Sequence, residues 1–280
     1  MLSYRHSFHA GNFADVLKHI VLIKILEHLR IKDKAFCCID THAGAGKYEL
    51  DSEYAQKNKE FQNGVGALWQ LDNLPGAVAD YVRVIKSFNA TDTLNTYPGS
   101  PLIIKQLLRQ QDHLFAHELH PTEIELLNLA IKNDRRITVQ HTDGLKNTLG
   151  LLPPKANRGL VLIDPSYEIK SDYETVVEYL FKFYKRFSHG TFALWYPVVD
   201  RSRNIQLENA IKSSPLKNVQ LYELGLKADT TEHGMTASGM IVINPPWTLA
   251  TELQDTLPYL ANTLGLENAG HYRIETLVAE

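Results

Sequence analysis

Residues 160–167 read LVLIDPSY: four apolar residues run into Asp164, Pro165, Ser166 and the aromatic Tyr167. Continuous apolar residues mark a strand buried on both faces. In open α/β sheets, ligands bind beyond the carboxyl ends of such strands. There the Asp164 carboxylate and the Pro165 carbonyl can accept hydrogen bonds from an exocyclic amino group, while Tyr167 stacks on a planar ring. That chemistry suits methylation of a nucleobase amino group.

Three more carboxylates fall at the ends of apolar runs. AFCCID ends at Asp40 and enters the turn THAGAG, where Gly44 and Gly46 let the backbone bend tightly and approach a ligand closely. The third glycine of a dinucleotide fingerprint is absent, as is a P-loop lysine, so the turn alone is equally compatible with a structural bend. HLFAHE ends at Glu118, where nucleoside-binding α/β folds place a carboxylate for the ribose hydroxyls. RITVQ is followed by Asp143-Gly144, placed to meet an adenine amino group. Each carboxylate alone reads as a solvated loop group. Three at the ends of consecutive strands point to a nucleoside pocket. The interval from Asp40 to Glu118 far exceeds the roughly 20 residues usual between such a turn and its carboxylate, and an inserted helical segment accounts for it.

The elements that must position these groups are legible from periodicity. A helix is expected over 12–30, with Val16, Leu17, Ile20, Ile23 and Leu26 on one face. Seven strands are expected in all, the first five alternating with helices, which predicts an α/β, Rossmann-like, mostly parallel sheet wound by right-handed crossovers. The last two, VQLYELGL and SGMIVI, have no helix between them and predict an antiparallel hairpin at one edge. The main domain is expected over 1–46 and 96–280, with a small helical insertion over 47–95, and residues after Leu264 read as a helix end and a polar tail.

Composition narrows the function classes. The chain has 280 residues, 44% hydrophobic, with a formal charge of −3, so it offers nucleic acid no global attraction. A local basic face must supply any phosphate contacts; Arg5, Lys18 and Lys24 are candidates, Lys24 reading better as a solvated helix charge. Adjacent Cys37 and Cys38 lie in an apolar run and are expected to be buried and reduced, which fits the cytosol. No secretory or membrane-spanning run is visible. His6, His9 and His19 lack cysteine partners and ligand spacing, and HELH at 117–120 has one residue too few between its histidines, so no metal is expected.

A second corner, Asn244-Pro245-Pro246-Trp247, follows the last strand and matches the double-proline form better than Asp164-Pro165-Ser166-Tyr167 does. Position decides between them. Asp164 follows the fourth strand, beside the nucleotide-binding turn, so NPPW is read as a structural strand end.

Together, MLSYRHSFHAGNFADVLKH, DTHAGAG, YPGSP, the Glu118 position, TDG, LIDPSY, WYPV and GMTASGMIVINPPW span essentially the whole chain in order. The chain resembles the bacterial 23S ribosomal RNA adenine-N6 methyltransferase J family, class I S-adenosylmethionine-dependent enzymes. The resemblance implies that Lys18, His19, His42, Ser100, Glu118, Asp143, Gly144 and Asp164 form the cofactor pocket, to which the strand-end turn adds Asp40 and Gly44. It implies Asp164 as the catalytic residue, with Pro165 and Tyr167 completing the corner, and Tyr4 and His6 at the target-adenine site, with Lys18 as a further substrate-binding candidate. It also implies 23S ribosomal RNA as partner, naked or in an early assembly intermediate; no sequence feature argues against a monomer. Ser166 departs from the family's usual second proline, which puts the corner's rigidity in question more than the reaction type. Rival readings are the same chemistry on DNA adenine or a protein glutamine, a nucleoside- or RNA-binding relative without catalysis, and a Rossmann oxidoreductase, which the missing third glycine disfavours.

Overall fold

The computed structural model describes residues 6–169, 171–230 and 234–280. Tyr4 and Arg5 lie outside the described residues. A 3-10 turn at His6–Phe8 leads into α1 (Phe13–Ile31), whose N-terminus Asn12 caps by accepting from the Ala14 and Asp15 amides. The expected one-sided apolar stripe understates α1. Val21, Leu22 and Ile25 are as buried as Val16 and Ile20, and a helix apolar nearly all round belongs in the interior.

After α1 the chain runs through β1 (Cys37–Asp40), β2 (Lys47–Glu49), α2 (Glu53–Asn58), a short 3-10 segment, α3 (Val65–Leu68), α4 (Gly76–Lys86) and β3 (Thr96–Pro98). Strands β2 and β3 pair antiparallel, bringing together the two ends of the intervening helical segment. Val65, Leu68, Trp69, Val78, Tyr81 and Ile85 from that segment pack in one cluster with α1. Then come α5 (Ser100–Leu107), β4 (His113–Glu118), α6 (Pro121–Ile131), β5 (Ile137–His141), α7 (Gly144–Leu151), β6 (Gly159–Ile163), α8 (Asp172–Arg186), β7 (Thr191–Val198), α9 (Arg201–Lys212), β8 (Val219–Gly225), β9 (Ala237–Ile243), α10 (Leu249–Leu264) and β10 (His271–Val278).

Among the described residues, eight strands form one sheet in the order β10-β8-β9-β7-β6-β1-β4-β5. The run from β5 to β7 is parallel. Strand β9 lies antiparallel between β7 and β8, and β10 pairs antiparallel with β8. The expected hairpin therefore exists, but β9 is interior and the edge belongs to β10, read from sequence as a polar tail. An edge strand with one wet face keeps polar residues such as Arg273 and Glu275, which hides it among tail sequence.

Strand β6 is buried at every position and alternates between two cores. Leu160 and Leu162 face the cluster built on α1, α4, α5, α6 and α10, while Val161 and Ile163 face the one built on α7, α8 and α9. From β1 the chain passes to β4 on one side and later returns to β6 on the other. A crevice opens between neighbours whose connections diverge in this way, and ligands bind there.

Lys24 is not a solvated charge. Its ammonium lies 2.6 Å from Glu27, 3.0 Å from Asp80 on α4 and 2.9 Å from Glu252 on α10, tying three helices together. The two cysteines are buried and unpaired, and burial pushes the Cys37 thiol up to about 12. Among the described residues no helix is long and apolar enough to cross a membrane.

Candidate active site

Two adjoining cavities open at the carboxyl ends of β1, β4, β5 and β6. The larger, of about 500 Å³, is lined among others by Lys18, His19, His42, Gly44, Ser100, Glu118, Asp143, Gly144, Asp164 and Pro165. The smaller, of about 330 Å³, is lined by Asp15, Tyr167, Tyr173, Arg203 and Met235 among others. His6, Lys18, Asp164, Ser166 and Trp195 face both. Residues scattered over the whole sequence thus converge, with Asp164 at the junction.

Each side chain is held by the element it stands on. Glu118, at the end of β4, accepts from the Gly44 amide at 2.8 Å and the His120 amide at 2.6 Å. Both carboxylate oxygens are oriented and each keeps a lone pair for a ligand hydroxyl. Asp143 caps α7, accepting from the Lys146 amide, and pairs with the Lys146 ammonium at 3.1 Å. Gly44 has φ +61°, and a Cβ there would lie 2.3 Å from the Tyr48 hydroxyl; one on Gly144 would lie 2.0 Å from the Thr41 carbonyl oxygen. Only glycine permits these approaches, so the cavity's floor depends on them.

Asp40 is placed differently from the other expected pocket residues. It is fully buried beneath the floor and does not line the cavity. Its carboxylate accepts from the Ser100 hydroxyl at 2.7 Å and the His42 amide at 3.3 Å, so it reaches the cavity through them. Burial raises the Asp40 carboxyl to about 7, with nearby Asp164 adding to the rise and the Ser100 hydrogen bond opposing it. Between about pH 4 and that value the folded chain holds a proton that the unfolded chain has released. Stability from this group is therefore fully present below about pH 4 and lost as pH rises through about 7. Asp40→Asn is expected to flatten the decline in Tm between about pH 5 and about pH 8. An unchanged slope would show that Asp40 stays ionised throughout.

The first helix carries the other half of the site. Lys18 is buried, with its ammonium 2.6 Å from Asp164 Oδ2 and 2.8 Å from Asp15 Oδ1. Asp15 Oδ2 in turn accepts from the Gly11 amide at 2.8 Å and lies 2.9 Å from His6 Nε2. Burial pulls the Lys18 pKa down, but the two carboxylates outweigh it and raise it above the usual ammonium value. Lys18 is thus committed to an interior ion pair and is not available to surface phosphates. The bridging role of Asp15 was not read from sequence, although its spacing three residues before Lys18 puts both on one helix face.

His19 and His42 also face the larger cavity. Burial pushes His19 down to about 3 and His42 down to about 4, so both are neutral near pH 7. Tyr167 lies in the smaller cavity. Its φ of +52° places it in the left-handed region, an uncommon position for a bulky side chain that must be held by its surroundings. The hold is visible: its hydroxyl donates to the Trp195 carbonyl at 2.8 Å and its ring packs 4.4 Å from that of Tyr173. This anchorage stiffens the corner where Ser166 replaces a second proline.

The NPPW corner lies at the opposite rim. Strand β9 runs antiparallel, so its carboxyl end stands beside the start of β7, where Asn244 donates to the Ser188 and Gly190 carbonyls at 2.8 Å. It is a strand-end clip, and Trp247 beyond it is exposed.

A parallel sheet ordered this way, with antiparallel β9 inserted between β7 and β8 and a cavity beyond β1 and β6, is the class I methyltransferase fold, to which antiparallel β10 is added at one edge. A family model described as ribosomal RNA large subunit methyltransferase D, RlmJ, matches residues 33–278. Ribosomal RNA large subunit methyltransferase J of Haemophilus influenzae is 47% identical over 281 residues, covering 100% of both chains. Its namesake in Escherichia coli is 47% identical over 280 residues, again with 100% coverage of both. The crystal structure of protein LPL1258 from Legionella pneumophila superposes with a TM-score of 0.89 at 38% identity, over 96% of this chain and 98% of that one. The chain belongs to the ribosomal RNA large subunit methyltransferase J family.

Proposed function

We propose that this protein transfers a methyl group from S-adenosylmethionine to the N6 amino group of an adenine in 23S ribosomal RNA. The observation that carries the reading is the position of Asp164 at the junction of two cavities, one suited to a nucleoside cofactor and one to a planar base. The donor set fits that cofactor. Glu118 offers oriented carboxylate oxygens to ribose hydroxyls, Asp143 faces the same cavity for an adenine amino group, and Gly44 and Gly144 leave room that any side chain would fill.

When bound, the cofactor supplies an electrophilic methyl on a sulfonium, so the protein needs to provide neither metal nor covalent nucleophile. The task left to the chain is orientation. An adenine N6 lone pair is delocalised into the ring and is a poor nucleophile. Asp164 Oδ2 is held by Lys18, and Oδ1 has no hydrogen-bond partner among the described residues. Oδ1 and the Pro165 carbonyl can therefore accept the two amino hydrogens and favour a pyramidal nitrogen. Holding both reactants in line is worth roughly 7–11 kcal/mol in well-oriented intramolecular reactions. Asp164 Oδ1 takes the proton once the nitrogen has been methylated and has become acidic.

The smaller cavity, walled by Tyr167, Tyr173 and Trp195, receives the base. A paired adenine cannot reach it, so the target is flipped out or already single-stranded. The family resemblance adds Tyr4 and His6 at that site, Tyr4 lying outside the described residues. We further propose that the enzyme acts as a monomer in the cytoplasm, on naked 23S ribosomal RNA or an early assembly intermediate, with residues 47–95 as a helical insertion subdomain.

The cofactor half of this reading is tested by calorimetry. S-adenosylhomocysteine should bind and NAD should not; the reverse preference would remove the assignment. Glu118→Ala should weaken S-adenosylhomocysteine binding roughly 10- to 100-fold, because a hydrogen bond to a charged acceptor is worth about 1.5–3 kcal/mol. Unchanged affinity would place Glu118 outside the ribose site.

A further inference from the structure

His19 presents a buried nitrogen without a partner among the described residues. The side chain is 1% exposed and lines the larger cavity, yet among the described residues its Nε2 makes no hydrogen bond. Buried polar atoms are satisfied in native proteins, so an orphan on a side chain that lines a cavity marks where a ligand atom completes the set. Whether that ligand atom is an acceptor or a donor depends on which imidazole nitrogen carries the proton.

Two tyrosines decide this. His19 Nδ1 lies 2.7 Å from the Tyr97 hydroxyl, which lies 3.1 Å from the Tyr81 hydroxyl, and all three side chains are buried. Tyr81 has Tyr97 as its hydroxyl's partner in this chain of bonds. If Tyr81 donates to Tyr97 and Tyr97 donates to Nδ1, every proton is used, and Nε2 carries the imidazole hydrogen. In the reverse direction Nδ1 donates to Tyr97 and Tyr97 to Tyr81, which leaves the Tyr81 proton buried without an acceptor among the described residues. The first arrangement is the satisfied one. Burial keeps the imidazole neutral, so it holds a single proton. Stacking of the His19 and Tyr97 rings, 5.6 Å between centroids and 27° between planes, fixes the imidazole in place.

We propose that Tyr97 is a positioning residue that locks His19 in its Nε2–H form, aimed as a donor at the carboxylate of the cofactor's amino-acid end. That carboxylate is the cofactor's one anionic group. Lys18 stands beside His19 on α1 and lines the same cavity, and its ammonium has a third hydrogen beyond those directed at Asp15 and Asp164. The carboxylates of Glu118 and Asp143 stand at the ends of β4 and β5, where hydroxyl and amino groups are expected.

The inference rests on S-adenosylmethionine as cofactor, and the test separates the two. Binding of S-adenosylhomocysteine and of 5′-methylthioadenosine, which lacks the amino-acid end, is measured by calorimetry for the full chain and two variants. Tyr97→Phe should weaken S-adenosylhomocysteine about tenfold and leave 5′-methylthioadenosine within about twofold. Tyr81→Phe should change neither beyond about twofold, because Tyr97 then has His19 as its remaining acceptor. Nitrogen-15 shifts of the His19 ring should report the Nε2–H form in wild type and Tyr81→Phe, and a mixture of forms in Tyr97→Phe. Equal weakening of both ligands by Tyr97→Phe, or an Nδ1–H ring in wild type, would overturn the proposal. Failure of wild type to bind either ligand would overturn the cofactor assignment instead.

Discussion

Asp164→Ala should lower methyl transfer by roughly 10²–10⁴-fold or more, the range for losing a positioned acid–base group. Cofactor affinity should stay within about tenfold, or ~1.4 kcal/mol. The separation follows from the geometry. Asp164 sits where the two cavities meet, whereas Glu118, Asp143 and the glycine-lined floor proposed to hold the cofactor belong to other strands. The protein should also remain folded. Lys18 loses one carboxylate but keeps Asp15 at 2.8 Å, so no buried ammonium is stranded. Single-turnover rates beside calorimetric affinities check this. A variant retaining most of its turnover would take Asp164 out of the mechanism.

Removing Asp15 should have the largest effect on stability. Its carboxylate is 1% exposed and serves the Lys18 ammonium, His6 Nε2 and the Gly11 amide together. Asp15→Ala leaves those donors short of an acceptor in the interior, and breaking a buried pair from one side costs about 3–5 kcal/mol. The pH dependence has a definite sign. Burial raises the Asp15 pKa, but neighbouring His6, which also donates a hydrogen bond, and the Lys18 ammonium outweigh it and hold it well below the usual carboxylate range. Its stabilisation is therefore fully present above about pH 4 and lost as pH falls through the folded-state value. Urea unfolding near neutral pH, with the m-value confirmed unchanged, measures the loss. A loss below about 1 kcal/mol would mean that Lys18 finds enough compensation in Asp164 alone.

The Asp164 corner was legible as a candidate because it is local: an apolar strand, then Asp164-Pro165-Ser166-Tyr167, needs no knowledge of distant residues. The strand-end carboxylates Asp40, Glu118 and Asp143 were legible for the same reason, although only the structure separates Asp40, buried beneath the floor, from Glu118 and Asp143, which face the cavity. What stayed hidden depends on tertiary pairing. Trp195, Tyr173, Arg203 and Met235 come from β7, α8, α9 and the segment before β9, and nothing in their own neighbourhoods marks them as cavity walls.

Charge was the least legible property. Lys18 and Lys24 are alike as letters in a helix. One is clamped between Asp15 and Asp164 at the candidate site, and the other, six residues further along α1, between Glu27, Asp80 and Glu252. Partners 56 and 146 residues away decide this. The C-terminal strand escaped notice for a related reason. HYRIETLV alternates weakly because its outer face is wet, and its place is fixed by pairing with β8, where Arg273 lies opposite Glu223.

Labelled methyl transfer from S-adenosylmethionine tests amino methylation of RNA by the Asp164 corner directly. Unmodified 23S ribosomal RNA, duplex DNA and bulk protein are offered in parallel, and nucleoside digestion follows. Label should appear in the RNA alone, recovered as N6-methyladenosine, and not with Asp164→Ala. Label on protein glutamine or on DNA, or N6-methyladenosine formed equally well by Asp164→Ala, would contradict it.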